Sequence, residues 1–465
     1  MNGISDQLLF LLKAIRTSGP KPTITARMIW LWSAMMYDSY QYRQPTGGSI
    51  DPQYLPLAKS SILQGDALSN WVVNCAKWAS YFLTKKIGQP APDSIAIDGD
   101  YNNYIAWTTR MVTYYNARSA DGSAINIQPP DIVALPAIYL SGLNPDNSPQ
   151  DVNLLAEPES WHPIQTNSAD PTTKQKFLGP EWGNVIGVLS SAEKQLCVET
   201  GEKYLPVDFN QVIAENDELI ELYRHLTEEQ KIIAEFWAGG PTTVSPPGIA
   251  ALVAIIYIHC NKPDLETEVK LWPKLGGALF ESSVVCWKIK RENMQPRPIQ
   301  MIRRKGDLPV VNGMGQTVPA RLWKPFQPDN AITPPFPDIS SGHSTFSSSA
   351  ATVMNEHFHT DIINMNGQTE SVQILKLMSP LFNDYDDNDV FSLNSIFVRP
   401  GSCEIQPGLP TSGVQLNFDS FTQMASQAGM SRLYGGIHIM SSNNAGLNSG
   451  QVVGIKVCRL MNSRM

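Results

Sequence analysis

A mainly α-helical fold is predicted by three features of this 465-residue sequence. Apolar residues recur at helical spacing over much of the chain, few segments alternate with a period of two, and cap-forming residues open several of the periodic stretches. No internal repeat at a fixed period is present. Hydrophobic residues make up 42% and charged residues 17%, a composition suited to a large packed core. The net charge of −8 and pI near 5.5 disfavour nucleic acid and anionic membranes, so any bound anion needs a local reversal of charge.

The elements follow in order. The opening MNGISDQLLFLLKAIRTSG reads as an amphipathic helix; an acid precedes its short apolar run and no small-residue cleavage site follows, so a signal peptide is not expected. Residues 23–42 are apolar almost all round, with Thr23 or Thr25 as candidate cap, which predicts a buried helix. Residues 66–86 and 100–118 carry helical periodicity as well. From 120 to 180 Pro, Asn, Asp, Ser and Gly become dense, as expected of loops that wall or cover a pocket. Helical pattern resumes at 208–223, at 227–238 with the capping-box signature TEEQ, at 246–261, and in a long helix ending near Lys290. Residues 293–342 read as loop, 344–357 as a Ser/Thr-rich helix, and helices are expected near 419–430 and 446–462. Residues 1–224 and 225–465 form two helical regions, or one intertwined domain. Nothing reaches the roughly 20 apolar residues of a membrane span. A soluble protein is the expectation, its compartment left open with the cytoplasm slightly favoured, and the chain is compatible with a homo-oligomer.

Six scattered cysteines without a CxxC pair predict buried free thiols. His357 and His359 lack partner ligands and read as an exposed helix end, and the acidic run NDYDDND at 383–389 lacks the glycine and glutamate of an EF-hand.

Chemistry is concentrated in three segments. The first, Trp287 to Pro298, brings Lys290 and Arg297 together across a helix end broken by prolines, within a stretch of seven basic residues at 288–305. A solvated basic face would explain it alone. The second is Phe336-Pro337-Asp338-Ile339-Ser340-Ser341-Gly342-His343. A glycine opens a helix here, so free N–H groups and the helix dipole favour an anion, with the Ser341 hydroxyl and the titratable His343 at the edge. In the third, Arg432 and His438 lie six residues apart around Gly435-Gly436 and can face one site.

Lys, six residues, Arg-Pro, then Ser-Gly-His, then Ser-Arg, five residues, His: in this order the segments resemble the vanadium-dependent haloperoxidases and the acid phosphatases that share their anion site. Trp287, AEFWAGGP, KFLGPEWG and the early ARMIWLWSAMMYDSY extend the resemblance along most of the chain. It implies the helical-bundle architecture of that family. It further implies that Lys290, Arg297, Ser341, Gly342 and Arg432 hold vanadate oxygens, that His438 bonds to vanadium, and that His343 is the acid–base group. Lys290 would polarise peroxide toward halide, and Trp287 and Phe336 would border the halide pocket. The implied reaction oxidises halide with hydrogen peroxide to hypohalous acid, which halogenates an organic acceptor; phosphate could occupy the site without vanadate.

Two positions depart from the pattern. Ser340 stands where relatives usually have proline, and Ser442 where they commonly have aspartate four residues beyond the metal-binding histidine. A serine or Asn443 could then take over support of His438 or Arg432. Phe336 matches the chloroperoxidases and hints at chloride. Two alternatives stand beside the haloperoxidase: an acid phosphatase in which His438 forms a phosphohistidine, and an inactive anion-binding protein.

Overall fold

The computed structural model describes residues 3–19, 21–45, 50, 62–84, 159–164 and 175–465. The expected helix at 100–118 and most of the loop-rich stretch at 120–180 lie outside them. The described helices are α1 (Ile4–Ser18), α2 (Pro22–Tyr42), α3 (Gly65–Thr84), α4 (Ser191–Glu202), α5 (Phe209–Arg224), α6 (Glu228–Phe236), α7 (Ser245–Asn261), α8 (Leu265–Asn293), α9 (Pro298–Arg303), α10 (Gly342–Phe358), α11 (Val372–Met378), α12 (Phe421–Tyr434) and α13 (Met440–Arg464).

Local chemistry sets most of these ends. Pro22 opens α2 at a position where a missing N–H costs nothing. Thr227 and Gln230 close the capping box that begins α6, as its sequence predicts. Asp264 caps α8, which runs to Asn293 and stops on Met294 in the left-handed region. The helix thus ends three residues beyond Lys290. Residues 184–207 carry no element expected from sequence, and α4 stands there, opened by a second capping box of Ser190 and Glu193. Its weak apolar pattern, with only Cys197, Val198 and Gly201 buried, hid it.

The expected loop at 293–342 also holds more order than its prolines suggest. It contains α9 and the hairpin of β1 (Pro309–Val311) with β2 (Thr317–Pro319), paired Val310 to Val318. Among the described residues β3 (Glu370–Ser371) pairs with β4 (Val390–Phe391) and β5 (Ser395–Val398) with β6 (Val414–Asn417), all antiparallel. These small ribbons are fasteners on a helical body.

At the centre, α10 packs on α13, α8 and α12, and α8 packs in turn on α2. The approach of α10 to α13 depends on glycines four residues apart. A Cβ at Gly446 would lie 2.6 Å from the Ser341 carbonyl oxygen, and at Gly450 2.4 Å from that of Thr345. Backbone therefore meets backbone, and Ser348 Oγ donates across the gap to Leu447 O at 2.6 Å. This contact fixes the amino end of α10, which carries Ser341, Gly342 and His343. One hydrophobic core runs from Leu8, Trp30 and Trp32 through Trp272 and Val284 to Met461.

All six cysteines are buried and free. His359 is exposed just past the end of α10 as expected, whereas His357 is partly buried, with Nε2 2.9 Å from Thr267 O and Nδ1 3.1 Å from Lys274 Nζ. Lys376 and Arg399 hold the acidic run through Asp387 and Asp389. Among the described residues no group of three ligating side chains could hold a metal ion, and no helix is long and apolar enough to cross a membrane.

Candidate active site

The carboxy-terminal end of α8, the loop into α9, the amino end of α10 and the turn between α12 and α13 converge on one buried point. Lys290 and Arg297 are fully buried, and Arg432 and His438 retain only 1% and 2% of their exposure. Ser341 is buried and caps α10, its Oγ accepting from Ser344 N at 3.3 Å. His343, on the first turn, is partly exposed. The sequence-predicted residues are therefore together.

A short extended segment, Phe336-Pro337-Asp338, holds three of them through its backbone and one carboxylate. Lys290 Nζ donates to the carbonyls of Pro337 and Asp338, each at 2.8 Å. Arg297 Nε donates to Phe336 O at 2.8 Å, and its Nη1 to Ile437 O at 2.6 Å. The Asp338 carboxylate is fully buried; Oδ1 is hydrogen-bonded to His438 Nδ1, and Oδ2 accepts from Gln295 Nε2 at 3.1 Å. Phe336 lies 5.0 Å from both the Lys290 ammonium and the Arg297 guanidinium, and its ring centre is 5.0 Å from that of Trp287. Trp287 is buried, its indole N–H spent on Leu178 O at 2.8 Å within KFLGPEWG.

The AEFWAGGP segment supplies the opposite wall. Ala234 O accepts from Arg432 Nη2, and Ala238 O lies 3.2 Å from His343 Nε2. Glu235 reaches away from the site to the backbone of Glu404 and Ile405 and so pins this wall to the next loop. In the α12–α13 turn Gly436 has φ +66°, and a Cβ there would sit 2.2 Å from Tyr223 Oη. Glycine alone allows the bend that turns Arg432 and His438 toward one another.

Burial governs the electrostatics. It lowers Lys290 to about 7, with Arg297 pushing the same way, and it lowers Arg297 to about 10 and Arg432 to about 9. Burial raises Asp338 to about 6 against the pull of Arg297 and Lys290. It also holds His343 and His438 well below the usual imidazole range, Arg432 adding to both. Three buried cations thus face one carboxylate, and Arg297 Nη2 is buried with no partner. A site short of negative charge with an orphaned donor is built for an oxyanion. Ser341, the first-turn N–H groups of α10 and His438 Nε2, 3.2 Å from Arg297 Nη1, add the donors and the ring nitrogen that a tetrahedral or five-coordinate oxyanion could use.

A pH dependence follows. Lys290 attracts an anion only when protonated, so affinity is full below its value of about 7 and is lost as pH rises through it. Asp338, neutralised as pH falls through about 6, pushes in the same direction. Sulfate keeps its charge over this range, so its stabilising effect on thermal unfolding should shrink above pH 7 by up to about tenfold in affinity per unit. In Lys290→Met the part of that trend above pH 7 should disappear, while the part due to Asp338 near pH 6 remains; a flat sulfate response in the unaltered protein would contradict it.

Asp338 and the carbonyls of Phe336, Pro337, Ala234 and Ala238 carry the site without any part in the sequence expectation. Asn443 does not support His438: its Oδ1 lies 2.7 Å from Ser344 Oγ, which lies 2.8 Å from Ser341 Oγ. Two cavities meet at His343. One opens past Phe336, Thr333, Gln327 and Arg432, and the other is an apolar cleft between Trp237, Ile249, Val253, Met354 and Phe421.

Residues 270–465 match the family described as the VCPO second helical-bundle domain. Comparison with curated proteins gives no match. Among solved structures the chain resembles a holo-type bacterial vanadium-dependent chloroperoxidase, with TM-score 0.66 and 15% identity over 99% of this chain and 93% of that one. Its apo-type counterpart gives TM-score 0.64 and 15% identity over 95% and 93%. A bacterial vanadium-dependent iodoperoxidase gives TM-score 0.60 and 17% identity over 98% and 96%.

Proposed function

We propose that this protein is a vanadate-dependent haloperoxidase, since residues 270–465 match the VCPO second helical-bundle family and the fold is similar to solved vanadium-dependent chloroperoxidase and iodoperoxidase. It would oxidise halide with hydrogen peroxide to hypohalous acid and so halogenate organic acceptors. The observation that carries the reading is the surplus of buried positive charge around Arg297 Nη2.

Lys290, Arg297, Ser341, Gly342 and Arg432 would hold the oxygens, and His438 Nε2 the metal. Held by these residues, vanadate would supply a Lewis acid for the activation of peroxide. The protein's part is to neutralise and orient. Arg297 and Arg432 are each tied by a backbone carbonyl, so their remaining N–H groups are aimed before any anion arrives. Lys290 keeps its ammonium against the Phe336 ring, where it would increase the electrophilicity of the oxygen offered to halide. Ala238 O accepts from His343 Nε2, leaving Nδ1 to take the peroxide proton. The low basicity of His343 keeps that nitrogen free at neutral pH. Phe336 and Trp287 would form the halide side, and the acceptor would be reached through the cavities on either side of His343.

The test is reconstitution. Metal-free protein given orthovanadate should gain bromide- or chloride-dependent oxidation of a β-diketone acceptor by peroxide. If vanadate confers nothing while a phosphomonoester is hydrolysed, the same cage serves a phosphohistidine phosphatase and the haloperoxidase reading fails.

A further inference from the structure

We propose that Asp338 is the positioning residue that locks His438 in the Nδ1–H tautomer and so presents a bare Nε2 to the oxyanion cage. The inference rests on the reading of His438 as the imidazole ligand of that cage. Position 442, four residues beyond His438, is serine and offers no carboxylate. The carboxylate comes instead from a residue 100 positions away in sequence, on the segment that also anchors Lys290 and Arg297.

Two neighbours of His438 dictate the same tautomer independently. The ionised Asp338 carboxylate only accepts, so the ring nitrogen facing it, Nδ1, carries the hydrogen. On the other side Arg297 Nη1 lies 3.2 Å from Nε2, and a guanidinium only donates, so Nε2 must present its lone pair. The carboxylate is itself held in place. Its backbone N–H donates to Gln295 O at 2.9 Å, its Oδ2 accepts from Gln295 Nε2, and its own carbonyl accepts from Lys290. Asp338 thereby couples the orientation of the ligand histidine to the same loop that places two of the cations. An imidazole in the other tautomer would turn an N–H toward Arg297 and toward the anion site, and would lose both contacts.

Asparagine at 338 separates shape from tautomer. Gln295 Nε2 faces the Oδ2 position as a donor, so the new amide would set its oxygen there and its NH2 toward His438. That arrangement needs an acceptor at Nδ1 and drives the hydrogen to Nε2. Nitrogen-15 NMR of the imidazoles reads this directly in protein free of vanadate. The unaltered protein should show His438 protonated on Nδ1, and Asp338→Asn should shift the hydrogen to Nε2. Orthovanadate and inorganic phosphate should each bind the variant about 10–100-fold more weakly, the cost typical of losing a partner behind a metal ligand. Asp338→Glu, which keeps an acceptor there, should retain the Nδ1–H tautomer and recover part of the affinity.

Finding Nε2–H in the unaltered protein overturns the proposal with no substitution needed, and so covers a variant that does not fold. Unchanged anion affinity in Asp338→Asn overturns it as well, as does weakened affinity with the tautomer unmoved, which would make Asp338 merely structural. If the tautomer shifts as expected but the reconstituted protein oxidises no halide, the positioning role stands and the haloperoxidase reading alone falls.

Discussion

Replacing His438 with alanine should release tightly held vanadate, whereas His343→Ala should keep it bound and lose turnover. His438 is close enough to add to the lowered basicity of His343, yet the two histidines are anchored differently. His438 is buried, oriented by Asp338 and faced by Arg297, so its Nε2 has one direction available. Its removal takes away a ligand atom, and affinity should fall by more than the roughly 10–100-fold that a supporting partner costs. His343 sits at the junction of two cavities with Nε2 3.2 Å from Ala238 O, a position that suits moving protons rather than holding the anion. Its loss should lower kcat by about 10²–10⁴-fold, the usual contribution of a positioned acid–base group. Vanadium-51 NMR for retention and halide oxidation for turnover separate the roles. Equal loss of binding in both variants would assign both histidines to the anion and leave the proton step without a carrier.

Arg297→Lys should be nearly as damaging although it preserves charge. Arg297 uses Nε and Nη1 on two carbonyls from different segments, Phe336 and Ile437, and keeps Nη2 for the anion. An ammonium is a single point and cannot reproduce that fork. At about 1.5–3 kcal/mol for each hydrogen bond made by a charged group, losing two costs about 10²-fold or more in oxyanion affinity. The positive charge beside Asp338 remains, so the fold should persist. Calorimetric titration with orthovanadate, alongside thermal melting of the anion-free variant, checks both parts. Unchanged vanadate affinity would mean that net charge, not the planar arrangement, makes the site.

Much of this was legible from residue order. The capping box at Thr227 and Gln230, the all-apolar face of α2 and the Ser/Thr-rich start of α10 declare themselves through short-range chemistry, because caps and periodicity are decided within one or two turns. The box at Ser190 and Glu193 was equally local, but it opens a helix with few buried residues, so no apolar period drew attention to it. Order in the proline-rich 293–342 stretch was not legible for a different reason. Its strands are three residues long and owe their existence to pairing with each other.

By itself the sequence determined the helical class and pointed to Lys290, Arg297, Ser341, Gly342, His343, Arg432 and His438 as candidates, since side-chain chemistry and spacing are written in it. Only the tertiary structure decided how these residues are held. The anchors are backbone carbonyls of Phe336, Pro337, Ala234, Ala238 and Ile437, which every residue type possesses and no motif can mark. The carboxylate behind His438 comes from Asp338, with Ser442 beside it, because chain folding, not chain order, brings it to His438 Nδ1. The charge imbalance is likewise a tertiary property: Lys290, Arg297 and Arg432 are ordinary cations along the chain, and become an anion site only when burial strips them of water together.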